Sequence, residues 1–189
     1  MFRPIPKSYI ELILDKKLST VKLYTIQHRN VLDIISRTNI HIQQEKDTMF
    51  MNASYWEEGH NAYSWIKNKG KFKNYPIWAT LKSQLKKKKD STISKEIDKE
   101  YVEITFEKSV NDILLSDYES WHSVLNNDYC YQNDDDYDIN YPQEEIIKSW
   151  DYCLDMRKNK SSMVQVCTNN IQRIEILRVT DLKKNLMEF

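Results

Sequence analysis

Apolar positions along the chain follow the two periods that distinguish strands from helices. VKLYTIQ (21–27) and YVEITFE (101–107) alternate apolar and polar residues, and this period of two predicts a strand in each. In HRNVLDIISRTN (28–39) the apolar residues recur at helical spacing, so we predict a helix. The same reasoning predicts further strands at 40–43, 75–80, 163–168 and 173–179, and further helices at 8–14, 54–70 and 142–156.

These elements interleave irregularly and contain no internal repeat. The interpretation is an α+β fold, with a mixed or mostly antiparallel sheet and flanking helices. Residues 1–20 are interpreted as an N-terminal helical extension, with Ser8 as the cap of its helix, and residues 21–189 as a single domain.

The segment ILLSDYESWHSVLN (113–126) predicts a strand that leads into a helix. Ser116 stands three residues before Glu119, which is the spacing of a capping box, so the helix is expected to begin at Ser116. Tyr118 and Trp121 then share one helix face, and His122 lies beside it. A histidine at this position is either a structural residue or a group that titrates near neutral pH, and the sequence leaves both interpretations open.

Composition narrows the class of protein without naming an activity. Lys and Arg balance Asp and Glu at 28 each, and no stretch is long and apolar enough for a membrane span or a signal peptide. Three widely spaced cysteines, Cys130, Cys153 and Cys167, are typical of reduced thiols, so a cytoplasmic location is expected. Two glycines are too few for a dinucleotide fingerprint or a phosphate loop.

Other catalytic and metal-binding motifs are weak or absent. Glu57–His60 and Glu119–His122 have the Glu-x-x-His spacing, but the bundle of long helices that supports such metal sites is not predicted, so no metal is assigned. No nucleophile elbow is present, which argues against a hydrolase. Catalytic residues and cofactors are therefore unknown.

A basic, aromatic stretch suggests nucleic acid as an alternative partner. Nine lysines interleave with five aromatic residues between residues 63 and 89, and lysine neutralises phosphates while aromatic rings stack on bases. The candidates for nucleic-acid contact are Lys86, Lys87, Lys88 and Lys89. Arginine, which contacts phosphate in bidentate fashion, is absent from the stretch, so this partner is not favoured.

Several segments resemble a bacterial family of unknown function, number 3841. In order, they are LYTIQ, YPIWAT, ILLSDYESWHSVLN, EEIIKSWDYCLDM and VQVCTNNIQRIEIL, and they cover about residues 23–179. The family typically has YPIWAW, LLSDF, a Trp-His-x-Val-Leu-Asn segment and a SWxxIFDL helix. The chain departs from this pattern at Thr80, Cys153, Leu154 and Met156. The resemblance implies site positions but no reaction.

The order of strand, helix and strand at 21–43 also resembles the opening of ADP-ribosyltransferase-like domains. In that analogy Tyr24, Thr25 or Gln27 holds the nucleotide, and Glu103 or Glu175 orients its ribose. No histidine or arginine occupies the expected strand position.

The leading hypothesis is a polar-aromatic pocket for a nucleotide-like ligand. Its residues are taken from the segments that resemble the family: Tyr24, Gln27, Trp78, Asp117, Trp121, His122 and Trp150. The alternative is a non-catalytic module, such as a resistance or immunity factor, that docks a protein or nucleic acid. The two hypotheses differ in whether these side chains converge on a concavity.

Overall fold

The computed structural model describes residues 5–44, 56–83, 100–131, 140–159 and 163–182. The α-helices are α1 (Lys7–Leu14), α2 (Asn30–Thr38), α3 (Trp56–Lys69), α4 (Tyr118–Leu125) and α5 (Gln143–Ser149). The strands are β1 (Thr20–His28), β2 (Ile40–His41), β3 (Ile77–Thr80), β4 (Tyr101–Ser109), β5 (Ile113–Asp117), β6 (Val164–Thr168), β7 (Ile171–Gln172) and β8 (Ile176–Asp181). Short 3-10 helices occupy Val110–Asp112, Trp150–Leu154 and Arg173–Glu175.

One six-stranded antiparallel sheet, in the order β5-β6-β3-β1-β4-β8, organises the fold. A two-stranded sheet of β2 and β7 lies apart from it. The predicted α+β class and antiparallel sheet are therefore confirmed. The strands that meet in the sheet are distant in sequence, since β1 pairs with β4 about 80 residues later.

The sheet separates two hydrophobic clusters. The first contains alternate residues of β1 and β4, such as Leu23 and Phe106, together with Ile10 and Ile13 of α1. The second contains Trp121, Trp150, the three cysteines and the buried residues of α3. Helix α1 thus contributes to the core, while the domain boundary predicted at residue 21 remains a prediction.

Two predicted helix ends differ from the structure. Helix α4 begins at Tyr118, and its N-cap is Asp117, whose carboxylate accepts a hydrogen bond from the amide of Ser120 at 2.8 Å. The capping box assigned to Ser116 is therefore wrong, because β5 continues through Ser116 to Asp117. Likewise Ser8 lies inside α1, whose N-cap is Pro6.

At the end of α3, the left-handed residue is Lys71 (φ 53°), whereas Gly70 has no positive φ. Gly70 is instead explained by the lack of room for a side chain. A β-carbon at Gly70 would lie only 2.4 Å from the ring of Phe72, which packs against the second cluster.

Candidate functional site

The six-stranded sheet consists of two halves that meet at a single paired position. Strands β1 and β3 pair only at Tyr24 and Thr80, whereas β1 and β4 pair over nine positions. Just beyond this pair the hydroxyl of Thr25 donates to the main-chain carbonyl of Trp78 at 2.7 Å, and the amide of Gln27 donates to Thr25 Oγ1 at 2.9 Å. Side chains thus replace the main-chain ladder where the two strands separate.

A row of polar side chains crosses the whole sheet at this join, and we call it the polar row. Residues that are directly paired across neighbouring strands point to the same face. The pairings connect six positions, one on each strand, and all six are polar. From one edge to the other they are Ser116, Gln165, Thr80, Tyr24, Thr105 and Arg178.

The polar row is partly exposed at three positions and exposed at one end, whereas Thr105, between Tyr24 and Arg178, is buried at 7% exposure. Gln165, Thr80 and Tyr24 are half-buried and Arg178 is exposed. Ser116 is fully buried at the other end. Within the described part of the chain, Ser116 Oγ and Gln165 Nε2 have no hydrogen-bond partner. Polar atoms withdrawn from water without partners are uncommon in folded proteins.

A buried carboxylate lies beside the polar row on β4. Glu103 is 2% exposed and precedes Thr105 by two residues, so it points to the same face. The hydroxyl of Ser83 donates to its two carboxylate oxygens at 2.8 and 3.0 Å. Glu175, the other acid in the nucleotide analogy, lies elsewhere and accepts hydrogen bonds from the buried ammonium of Lys108 at 2.8 and 3.0 Å.

An aromatic group borders the polar row on β3. Trp78 precedes Thr80 by two residues, so its indole points to the same face as the row. Its ring lies 4.7 Å from that of Trp121, and its Nε1 donates to the phenol of Tyr63 at 3.1 Å. Burial raises the pKa of Tyr63 to about 12, so its hydroxyl stays protonated and neutral. Trp78 itself is half-buried and offers part of its ring to the surface.

Asp117 caps a helix with one carboxylate oxygen, while its Oδ2 is buried and has no hydrogen-bond partner in the described part of the chain. Its carboxylate is 1% exposed and caps α4, and Ser120 bonds it through both its amide and its hydroxyl. The thiol of Cys153 donates to the main-chain carbonyl of Asp117 at 3.6 Å. Burial, followed by the negative charges of Asp117 and Asp128, raises the pKa of Cys130 to about 12.

The three cysteines are all buried and none forms a disulfide. Burial is also the largest cause of the raised pKa values of Cys153 and Cys167. A thiol whose pKa is raised in this way is a poor nucleophile.

His122 lies on the outside of α4. Its Nδ1 donates to the carbonyl of Tyr118 at 2.8 Å, since a carbonyl only accepts, and its ring packs edge-on against the ring of Tyr118 at 4.6 Å. Both residues are exposed. In the described part of the chain, His122 makes no hydrogen bond or ring contact with Gln27 or Trp78.

Trp150 is a core residue. It is 1% exposed, donates to the carbonyl of Asp128 at 3.0 Å and packs edge-on against Trp65 at 5.7 Å. Of the predicted residues, the structure brings Trp78 and Trp121 into contact, with Tyr24 on the same face of the sheet, whereas Gln27 points to the opposite face. His122 is exposed on α4, Asp117 caps that helix, and Trp150 lies in the second hydrophobic cluster.

The basic stretch is only partly described, and Lys86, Lys87, Lys88 and Lys89 lie outside the described residues. Before them, the aromatic rings are engaged with other rings. Trp65 contacts Trp150, and Tyr63 contacts Trp78. The ammonium of Lys69 lies against Asp151. Trp65 and Tyr63 therefore pack against other rings of the protein and do not form an exposed row on which bases could stack.

Sequence reasoning missed most of the polar row, since only Tyr24 was a candidate. Each of the other strand positions has a local signal, a polar residue within an apolar strand, as in VQVCT and ILLSD. That signal does not show which strands are neighbours or in which register they pair.

Within residues 59–83 and the other stretches with described side chains, no three His, Cys, Asp or Glu residues gather in a way that suits a metal ion.

Comparison with known proteins identifies one relationship. A model of the family described as domain of unknown function (DUF3841) matches residues 22–144. No curated protein and no solved structure matches the chain. In addition, none of the helices in the described part of the chain is long and apolar enough to cross a membrane.

Proposed function

The chain belongs to the DUF3841 family, whose description assigns no activity, and from the geometry of the site we propose that it binds a nucleotide-like ligand along the polar row. The observation that carries the proposal is the row itself: six polar side chains in register across six strands, three of them half-buried. Sheet faces that only support a core are normally apolar. A continuous polar row on a face that also carries a core cluster offers hydrogen-bonding groups to a ligand.

The chemistry along the row suits the parts of a nucleotide. The half-buried indole of Trp78 offers an aromatic surface beside a base. Tyr24 offers a hydroxyl group to a sugar. Arg178 is exposed and has no ion-pair partner in the described part of the chain, so its guanidinium is available to a phosphate.

The dimensions agree with this assignment. From β3 to β8 there are three strand spacings, which correspond to about 14 Å. A nucleoside alone is shorter than this, whereas a nucleotide with its phosphates reaches from Trp78 to Arg178. Tyr24 lies between them and is the central contact of the proposal.

Ligand binding can be tested by calorimetry and thermal unfolding with a panel of AMP, ADP, ATP and NAD. We expect at least one of these to bind and raise the unfolding temperature, because a ligand that binds only the folded state stabilises it. Tyr24→Phe removes one hydroxyl and Arg178→Gln one charge, and each should weaken binding about tenfold or more, with little change in the unfolding temperature of the free protein.

The matched control is His122→Ala, an exposed substitution on α4 away from the row, which should leave the affinity unchanged. Two results would contradict the proposal. One is the absence of any shift with the whole panel, and the other is binding that Tyr24→Phe and Arg178→Gln leave intact.

A further inference from the structure

The outer edge of β8 is one of the two edges of the six-stranded sheet. In the described part of the chain β8 pairs with β4 on one side and has no strand on the other. An edge strand presents unpaired main-chain N–H and C=O groups, which act as a template for another strand. Natural edges are usually protected by lysine, proline, a bulge or a covering element.

At this edge a bulge is present, but apolar side chains are exposed around it. The register between β4 and β8 shifts between Thr105 and Phe106, which leaves Leu177 as an extra residue of β8. Leu177 is 53% exposed, Val179 40% and Ile174 87%. Because the bulge interrupts the ladder, a further strand has a regular edge only from Arg178 onward.

The charge around these side chains is positive. Arg173 is exposed and has no ion-pair partner within residues 5–44, 56–83, 100–131, 140–159 and 163–182. The two nearby acids are already engaged, because Glu175 bonds Lys108 and Asp181 bonds Arg29 at 2.7 Å. We refer to Arg173, Ile174, Leu177 and Val179 together as the β8 edge patch.

A second copy of this chain is a poor occupant of the edge. When two copies of β8 pair in antiparallel fashion about a twofold axis, the numbers of any two paired residues have the same sum. This sum is even, because directly paired side chains share a face. The axis therefore passes through one residue, which we call the centre. A centre at 177 would pair Val179 with Glu175, which lies in a 3-10 helix outside β8, and a centre at 178 places Arg178 opposite itself. Centres at 179 and 180 place Leu177 or Val179 opposite Asp181. Every register near the patch thus opposes an apolar side chain to an acid or two like charges.

From this we propose that the β8 edge patch docks an extended segment of another protein, in which apolar and acidic side chains alternate. The segment adds as a strand beside Arg178 and the residues after it. Its apolar side chains cover Leu177 and Val179, and an acidic side chain meets Arg173. This docking uses the main chain of β8 at Arg178, a member of the polar row, but it does not require a bound nucleotide.

The test uses two fluorescent peptides, one alternating valine with glutamate and one alternating valine with lysine. Wild-type protein should bind the glutamate peptide more tightly, with hydrogen exchange slowed in β8. Arg173→Glu should weaken that binding about fivefold and reverse the preference between peptides, since an exposed charge pair contributes on this scale. Leu177→Ser with Val179→Ser should weaken it about tenfold, because apolar burial is lost.

Reciprocal controls keep this proposal separate from nucleotide binding. Tyr24→Phe should leave peptide binding unchanged, and Arg173→Glu should leave nucleotide binding unchanged. Equal affinity for the two peptides, or no affinity for either, overturns the docking proposal. So does a concentration-dependent dimer that Leu177→Ser dissociates, because a second copy would then be the occupant.

Discussion

The two halves of the large sheet carry different kinds of side chain on the same face. On β5, β6 and β3 the face carries Leu114, Cys167 and Trp78, which belong to or pack against the aromatic cluster under α3 and α4. On β1, β4 and β8 the corresponding face carries Tyr24, Glu103 and other polar groups. One half is an apolar and aromatic core, and the other is polar. The polar row crosses both, so the face changes its role at the join between β3 and β1.

The strongest test of this contrast is removal of an aromatic side chain from the covered half. Trp121 is 5% exposed and contacts both Trp78 and Tyr63, so Trp121→Ala should lower the free energy of unfolding by about 3 kcal/mol or more. His122→Ala, one residue later and exposed, should change it by less than about 0.5 kcal/mol. Chemical denaturation of both variants gives the comparison. Equal losses would mean that His122 is part of the core.

Alkaline pH should also destabilise the covered half. The pKa of Cys130 is raised by burial to about 12 in the fold, whereas an unfolded thiol titrates near its ordinary value of 9.0. Between these values the folded state holds a proton that the unfolded state has lost, so stability is complete below pH 9 and falls as pH rises. The loss is about 1.4 kcal/mol per pH unit for each such group.

Urea midpoints at pH 8, 9.5 and 10.5 measure this dependence. Cys153 and Cys167 shift in the same direction as Cys130, so Cys130→Ala should flatten the profile without abolishing it. A midpoint that does not change with pH would contradict the burial of these thiols.

The join between the halves can be loosened with one substitution. Thr25→Val keeps the shape of a side chain that is 2% exposed but removes its hydrogen bond to the carbonyl of Trp78. We expect a loss of about 1 to 2 kcal/mol and faster hydrogen exchange at β3. Thr25→Ser retains the hydroxyl and should retain slow exchange there. If both variants behave alike, the hydroxyl does not hold the join.

The smallest effect distinguishes two neighbouring residues at the end of β5. Asp117→Ala should lower the free energy of unfolding by about 1 kcal/mol, because the amide of Ser120 loses its cap. Ser116→Ala should be close to neutral, since its hydroxyl is buried without a partner in the described part of the chain. Thermal unfolding of the two variants shows which residue caps α4. A larger loss for Ser116→Ala would restore the capping box.

Local pattern determined which elements form, and this is why they could be predicted. Alternation in VKLYTIQ and YVEITFE gave β1 and β4, and helical spacing gave α2, because both periods depend on near neighbours in sequence. The prediction failed where two local signals competed. Ser116 and Asp117 are both good N-caps, and only the pairing of β5 with β6 through Asp117 decides between them.

The candidate site depends on information that is not local. Tyr24, Thr80 and Gln165 are separated by 56 and 85 positions in the chain, yet they are direct neighbours across strands. Any strand order would leave the alternation within each strand unchanged, so the sequence by itself determined which positions of each strand are polar and which are apolar. The strand order and register were decided only in the tertiary structure, where burial of both core clusters selects one pairing and thereby aligns the polar row.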